Sequence, residues 1–68
     1  MNRVKEFRQQ KGLSQLALAK EIKVARQTIS LIENHNYNPS LELCIKIAES
    51  LDSDLNTLFW NDRKLPQQ

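Results

Sequence analysis

The chain is poor in the residues that staple or bend small proteins. One cysteine, Cys44, and one histidine, His35, among 68 residues exclude an intramolecular disulfide and a tetrahedral zinc site, the usual supports of domains this small. A single glycine, Gly12, and two prolines, Pro39 and Pro66, leave few places for tight hairpins and argue against a sheet. No apolar run approaches the roughly 18 residues of a membrane span, and no apolar h-region follows Met1, so the sequence reads as that of a soluble, cytoplasmic protein. A carboxylate pair at useful spacing and a glycine-rich phosphate loop are also missing, which makes an enzyme the poorest reading. No cofactor and no metal are expected.

What is present suits one thin-cored domain. By surface scaling a chain of this size buries about 60% of the surface its unfolded form exposes. Apolar residues make up 40% of the sequence, mostly Leu, Ile, Val and Ala, and the only aromatics are Phe7, Tyr37, Phe59 and Trp60. The reading is a domain over residues 1–60 and a short frayed tail over 61–68. Net charge is +2, unevenly placed: residues 1–38 carry seven basic and three acidic side chains, whereas residues 39–68 carry three and five. A front half at +4 and a back half at −2 permit a nucleic-acid face without requiring one.

Apolar spacing of three and four residues, with cap residues between segments, predicts five short helices. The first covers about residues 2–10, buries Val4 and Phe7, and stops at Gly12, which suits the left-handed position past a helix end. Ser14 caps the second, whose inner face carries Leu18, Ala19 and Ile22. After a turn of about three residues plugged by Val24, the third covers about 26–33 with Ile29 and Ile32 inward. Residues 34–39 form a loop, because Asn tolerates positive φ and Pro39 biases Asn38 away from helix. Ser40 caps the fourth helix, with an apolar stripe of Leu41, Leu43, Cys44, Ile47, Ala48 and Leu51, and Asp54 caps a short fifth holding Leu55, Leu58 and Phe59. Cys44 reads as a small buried hydrophobe and His35 as an ordinary turn residue, while Leu16 and Ile45 fall off the core faces.

The stretch from Gln15 to Asn34 is the informative one. Two helices joined by so short a turn must cross closely, which explains the small Ala19, and Leu18, Ile22, Ile29 and Ile32 fill the angle between them. This spacing matches the DNA-binding helix-turn-helix, whose second helix enters the major groove. Four segments, Arg-Gln-Gln-Lys-Gly-Leu-Ser-Gln at 8–15, Ala-Arg-Gln-Thr-Ile-Ser at 25–30, Ile-Glu-Asn at 32–34 and Tyr-Asn-Pro-Ser-Leu-Glu-Leu at 37–43, together resemble the Cro and repressor type (XRE-like) helix-turn-helix family of bacterial and phage transcription regulators. The resemblance covers nearly the whole chain. It implies an all-α, compact five-helix lambda-repressor-like DNA-binding domain, a homodimer on a two-fold symmetric operator, and repression by promoter occlusion. Three positions depart from the family pattern: Lys23 replaces the usual glycine, Ala25 the usual Ser or Thr cap, and His35-Asn36 the usual Gly-Lys. Lys23 and His35 are therefore expected at positive φ.

Residue by residue, the resemblance implies that Gln15 bonds a phosphate through its side chain, beside the free amides of its helix N-terminus. Arg26 and Gln27 open the recognition helix, where Arg suits guanine O6 and N7 and Gln suits adenine N6 and N7, although Arg26 also suits a phosphate. Thr28 and Ser30 fit base or phosphate contacts, with Thr28 read as the base contact and Ser30 as the phosphate contact. Leu31 fits either a thymine methyl or the edge of the core. Arg8 and Glu33 are expected as a buried ion pair, with Arg8 secondarily near a phosphate. Asn34 and Asn36 fit phosphate contacts through side-chain and backbone donors, or plain turn duty. Trp60 either closes the core or lies in a dimer contact, the reading preferred here. The competing function is an antitoxin or protein-interaction module of the same fold with a partner protein; the polar set Gln15, Arg26, Gln27 and Thr28 favours DNA. A single domain leaves no room for a small-molecule effector pocket, so none is expected.

Overall fold

A computed structural model describes residues 2–60, apart from the Trp60 side chain. Met1 and the expected tail at 61–68 lie outside the described residues, as does the dimer or core role read for Trp60. Five helices follow one another: α1 (Val4–Gln10), α2 (Gln15–Ile22), α3 (Arg26–Glu33), α4 (Leu41–Ser50) and a short π-helical segment, Asn56–Trp60. Among the described residues there is no strand.

The four α-helices end alike. At each C-terminus one residue turns into the left-handed region, at Gly12 (φ 76°), Lys23 (64°), His35 (63°) and Asp52 (54°). The next amide then reaches back to the carbonyl five residues earlier, in Leu13 to Arg8 (3.1 Å), Val24 to Ala19 (2.9 Å), Asn36 to Leu31 (2.9 Å) and Ser53 to Ala48 (2.8 Å). This is the Schellman closure, which satisfies carbonyls that have no partner inside the helix. Lys23 and His35 adopt the expected positive φ; Asp52 does so without having been foreseen. Each of the three carries a Cβ where glycine is unstrained, at a cost on the order of 1 kcal/mol.

Helix starts differ. The Ser14 hydroxyl accepts from the Ala17 amide (3.0 Å) and Ser40 from that of Leu43 (3.2 Å), as the sequence predicts, whereas Ala25 leaves α3 without a side-chain cap. The Asp54 carboxylate accepts from the Thr57 amide (2.7 Å), and this bond holds its pKa below the usual carboxylate value. Helix α1 begins at Val4 rather than Asn2, because Asn2 is used as a clasp. Its Oδ1 accepts from the Val4 amide (3.1 Å) and its Nδ2 donates to the Ile32 carbonyl (2.9 Å), tying the N-terminus to α3. Arg3 N donates to the Leu58 carbonyl (2.7 Å), which fastens the last helical segment to the first.

The core gathers Val4, Leu18, Ala19, Ile22, Ile29, Ile32, Ile47, Ala48, Leu51 and Leu58, with Phe7, Leu13, Val24, Leu43, Leu55 and Phe59 packed half-buried around it. Every helix contributes, and each fully buried Leu or Ile adds about 1.5–3 kcal/mol of transfer free energy. Three expectations need correction. Leu41 is 62% exposed rather than part of the α4 stripe, since that face is covered only from Leu43 and Cys44 onward, and Phe7 is half-buried with the Arg3 guanidinium 5.3 Å above its ring. Cys44 is half-buried too, and that burial raises its thiol pKa.

Candidate nucleic-acid interface

Helices α2 and α3 are linked by Lys23, Val24 and Ala25, three residues in which the left-handed turn at Lys23 reverses the chain and half-buried Val24 fills the corner. Fully buried Leu18, Ile29 and Ile32, with Ala19 and Ile22 nearly so, lock the two helices against each other. With its inner face fixed, α3 presents Arg26 and Gln27 exposed, Thr28 and Ser30 half-buried, and Leu31 at 39% exposure. A side chain that open favours the outward reading of Leu31 over the core-edge one.

One hydrogen-bonded chain runs from the interior to this face. Arg8 and Glu33, at 7% and 8% exposure, form the buried pair: Arg8 Nε donates to Glu33 Oε2 (2.7 Å) and Arg8 Nη2 to Oε1 (3.2 Å). The third guanidinium nitrogen, Nη1, donates to the Leu13 carbonyl (2.7 Å), so Arg8 joins α1, the α1–α2 turn and α3. Such a pair stabilises only because its partners are satisfied; removing one leaves an uncompensated charge out of water. All three guanidinium nitrogens of Arg8 thus have partners inside the protein.

Gln15 continues the chain. Its Nε2 donates to Glu33 Oε1 (3.0 Å) and its Oε1 accepts from Arg26 Nη1 (3.1 Å). Both ends of this carboxamide therefore have protein partners, and only its second N–H is left for the phosphate role read from the sequence. Periodicity could not reveal this bridge, because bonds between residues 18 and 11 positions apart leave no pattern along a chain. In the loop after α3, the amides of Asn34 and Asn36 close the helix end on Ser30 (3.0 Å) and Leu31 (2.9 Å). Their backbone donors are spent on that closure, and their exposed side chains are what they offer outward.

Among the described residues no three metal-ligating side chains come together, and no helix is long and apolar enough to cross a membrane.

A short-turn helix pair with a polar, exposed second helix defines a helix-turn-helix protein. The chain belongs to that family: the family model described as Helix-turn-helix matches residues 4–58. It is 42% identical over 64 residues to an HTH-type transcriptional regulator of Archaeoglobus fulgidus, covering 93% of this chain and 91% of the relative. The crystal structure of SinR, the master regulator for biofilm formation, in complex with DNA superposes with a TM-score of 0.76 at 36% identity, over 81% of this chain and 89% of that one. The antitoxin HipB of Escherichia coli is 45% identical over 51 residues, 75% of this chain and 54% of HipB.

Proposed function

We propose that this protein binds double-stranded DNA sequence-specifically in the cytoplasm and regulates transcription as a repressor, a homodimer placing α3 of each copy in successive major grooves of a two-fold symmetric operator. The observation that carries this reading is the outward face of α3, where Arg26, Gln27, Thr28 and Leu31 stand on a helix that the core holds rigid. Arg26 and Gln27 match the donor and acceptor edges of guanine and adenine, and Leu31 matches a thymine methyl. Gln15, Ser30, Asn34 and Asn36 flank that face with neutral donors for phosphates, a term that positions the protein without reading sequence. The SinR complex with DNA, on a superposable fold, supports DNA as the partner.

Selection of bound duplexes from a random DNA pool tests the proposal directly. The expected product is a palindromic site whose half-sites lie about 34 Å apart, one helical turn. Affinity should fall steeply with added salt, because phosphate contacts release counterions. Recovery of no preferred sequence, or binding indifferent to salt, overturns the reading. Kinship with HipB favours one second reading, an antitoxin or protein-interaction module of the same fold. Co-expression with a toxin partner, followed by purification of a stable complex, would establish that role, and the absence of any such partner leaves the dimeric repressor alone.

A further inference from the structure

We infer that His35 is a contact to the DNA backbone, a donor whose proton is placed by Asn2. The inference rests on the DNA-binding role proposed for α3 and the loop after it, and it gives a task to a side chain that the sequence reads as an ordinary turn residue.

The Asn2 carboxamide can stand only one way round. Its oxygen accepts from the Val4 amide (3.1 Å), and its nitrogen donates to the Ile32 carbonyl (2.9 Å), which has no hydrogen to give. Reversed, the amide would set NH2 against an N–H and oxygen against oxygen. The second N–H of that NH2 group faces His35 Nδ1 at 3.4 Å, so Nδ1 is the bare, accepting nitrogen of the ring. A neutral imidazole carries one N–H, and here it falls to Nε2. The start of the chain thus selects the tautomer of a residue in the loop after α3.

That Nε2–H is free for an outside acceptor. His35 is exposed, and among the described residues its ring has no hydrogen-bond partner besides Asn2. Its own amide is spent on the Ile32 carbonyl (3.1 Å), so the ring is what it offers outward. It stands between Asn34 and Asn36, the two loop residues placed above against phosphates. With φ at 63°, it also carries a Cβ where glycine would be unstrained, and strain held in a recognition loop points to a side chain with a use. A phosphate oxygen accepts and does not donate, so an Nε2–H suits it and a bare nitrogen does not. A ring already held by one edge loses less freedom on binding than a loose one. The contact positions the protein and reads no base. Asn2 acts through His35, without touching DNA.

The test uses the full chain, a duplex chosen by selection with the wild-type protein, and a second duplex altered at the base pair whose preference Arg26→Ala abolishes. Affinity for both is measured for wild type, His35→Gly, His35→Leu, His35→Gln and Asn2→Ser, with a thermal melt of each. His35→Gly and His35→Leu, which lack a donor, should bind both duplexes roughly 3- to 10-fold more weakly, with the preference between them unchanged. His35→Gly should do so while melting at or above the wild-type temperature, because glycine relieves the left-handed strain. A residue with only a turn to make would lose no affinity there. His35→Gln, which restores an N–H of similar reach, should recover most of the binding. Asn2→Ser keeps an oxygen for the Val4 amide and withdraws the NH2 group; its smaller loss should vanish in the His35→Gly background, because contacting residues couple. A loss that persists there overturns the part given to Asn2. Wild-type affinity in His35→Gly or His35→Leu overturns the inference and leaves base reading by Arg26 intact. A loss confined to one duplex overturns it as well, since a backbone contact is blind to sequence. A wild-type chain that binds no DNA sinks both readings together.

Discussion

Helices α3 and α4 are built on the same plan inward and on different plans outward. Each sends two residues into the core, Ile29 and Ile32 from α3 and Ile47 and Ala48 from α4, and each ends in a Schellman closure with a non-glycine residue at positive φ. Their starts diverge: Ser40 caps α4 with its hydroxyl, and Ala25 gives α3 nothing. Their outer faces diverge further. Exposed positions on α4 mix charge and aliphatic bulk in Leu41, Glu42, Ile45, Lys46 and Glu49, while α3 exposes Arg26, Gln27 and Leu31 with no acid among its outward residues. Helix α4 is thus a supporting element with a mixed surface, and α3 gives up a cap and carries a face free of negative charge, as suits a helix meeting a polyanion.

The contrast can be broken hardest at the base of α3. Glu33→Ala should cost about 3–5 kcal/mol in a denaturant titration, because Arg8 would remain buried without its partner. No single substitution among the exposed residues of α4 should approach that; Glu42→Ala is expected within about 0.5 kcal/mol. If Glu33→Ala is as mild as Glu42→Ala, the pair is not what anchors the recognition helix. Next in size, Arg26→Ala should leave the melting temperature nearly unchanged and cost about 1–3 kcal/mol in DNA binding, with preference lost at one base pair. A uniform loss across sequences would move Arg26 to the phosphates.

Smaller changes sharpen the comparison of helix starts. Ser40→Ala should destabilise by about 1 kcal/mol, and Ala25→Ser should stabilise by a similar amount by supplying the missing cap. Equal and opposite shifts in the denaturation midpoint are the expected pattern; no gain at residue 25 would mean that α3 has another way of satisfying its first amides. Smallest is Lys23→Gly, expected to gain up to about 1 kcal/mol by relieving the left-handed strain between α2 and α3. A loss there would show that the lysine side chain contributes more than its backbone conformation costs.

Much of this was legible in the order of residues. The helix spans follow from apolar spacing and from Ser14, Ser40 and Asp54, since caps and periodicity act over a few neighbouring residues. The family resemblance pointed to the left-handed ends at Lys23 and His35, and local chemistry located the one at Gly12. It missed Asp52, where the chain turns left-handed as Ser53 closes onto Ala48. It also placed Leu41 inside, because a stripe drawn on a helix does not tell where the neighbouring helices stop covering it. At the candidate interface the Arg8–Glu33 pair forms as expected, whereas the bonds of Gln15 to Glu33 and Arg26 were not legible. Gln15 was read as facing a phosphate and is held between Glu33 and Arg26, and the loop amides of Asn34 and Asn36 are spent on closing α3.

The single glycine by itself favoured helices over hairpins, and a single cysteine leaves no second thiol for an intramolecular disulfide, since those properties depend on which atoms are available. The spacing between Gln15 and Asn34 determined the helix pair and which of its faces is apolar, because a helix repeats every 3.6 residues. Only the tertiary structure decided what Arg26 rests against. Its bond to Gln15, and that of Gln15 to Glu33, join side chains far apart in sequence, and directional contacts of that kind exist only after the core has fixed α1, α2 and α3 in place.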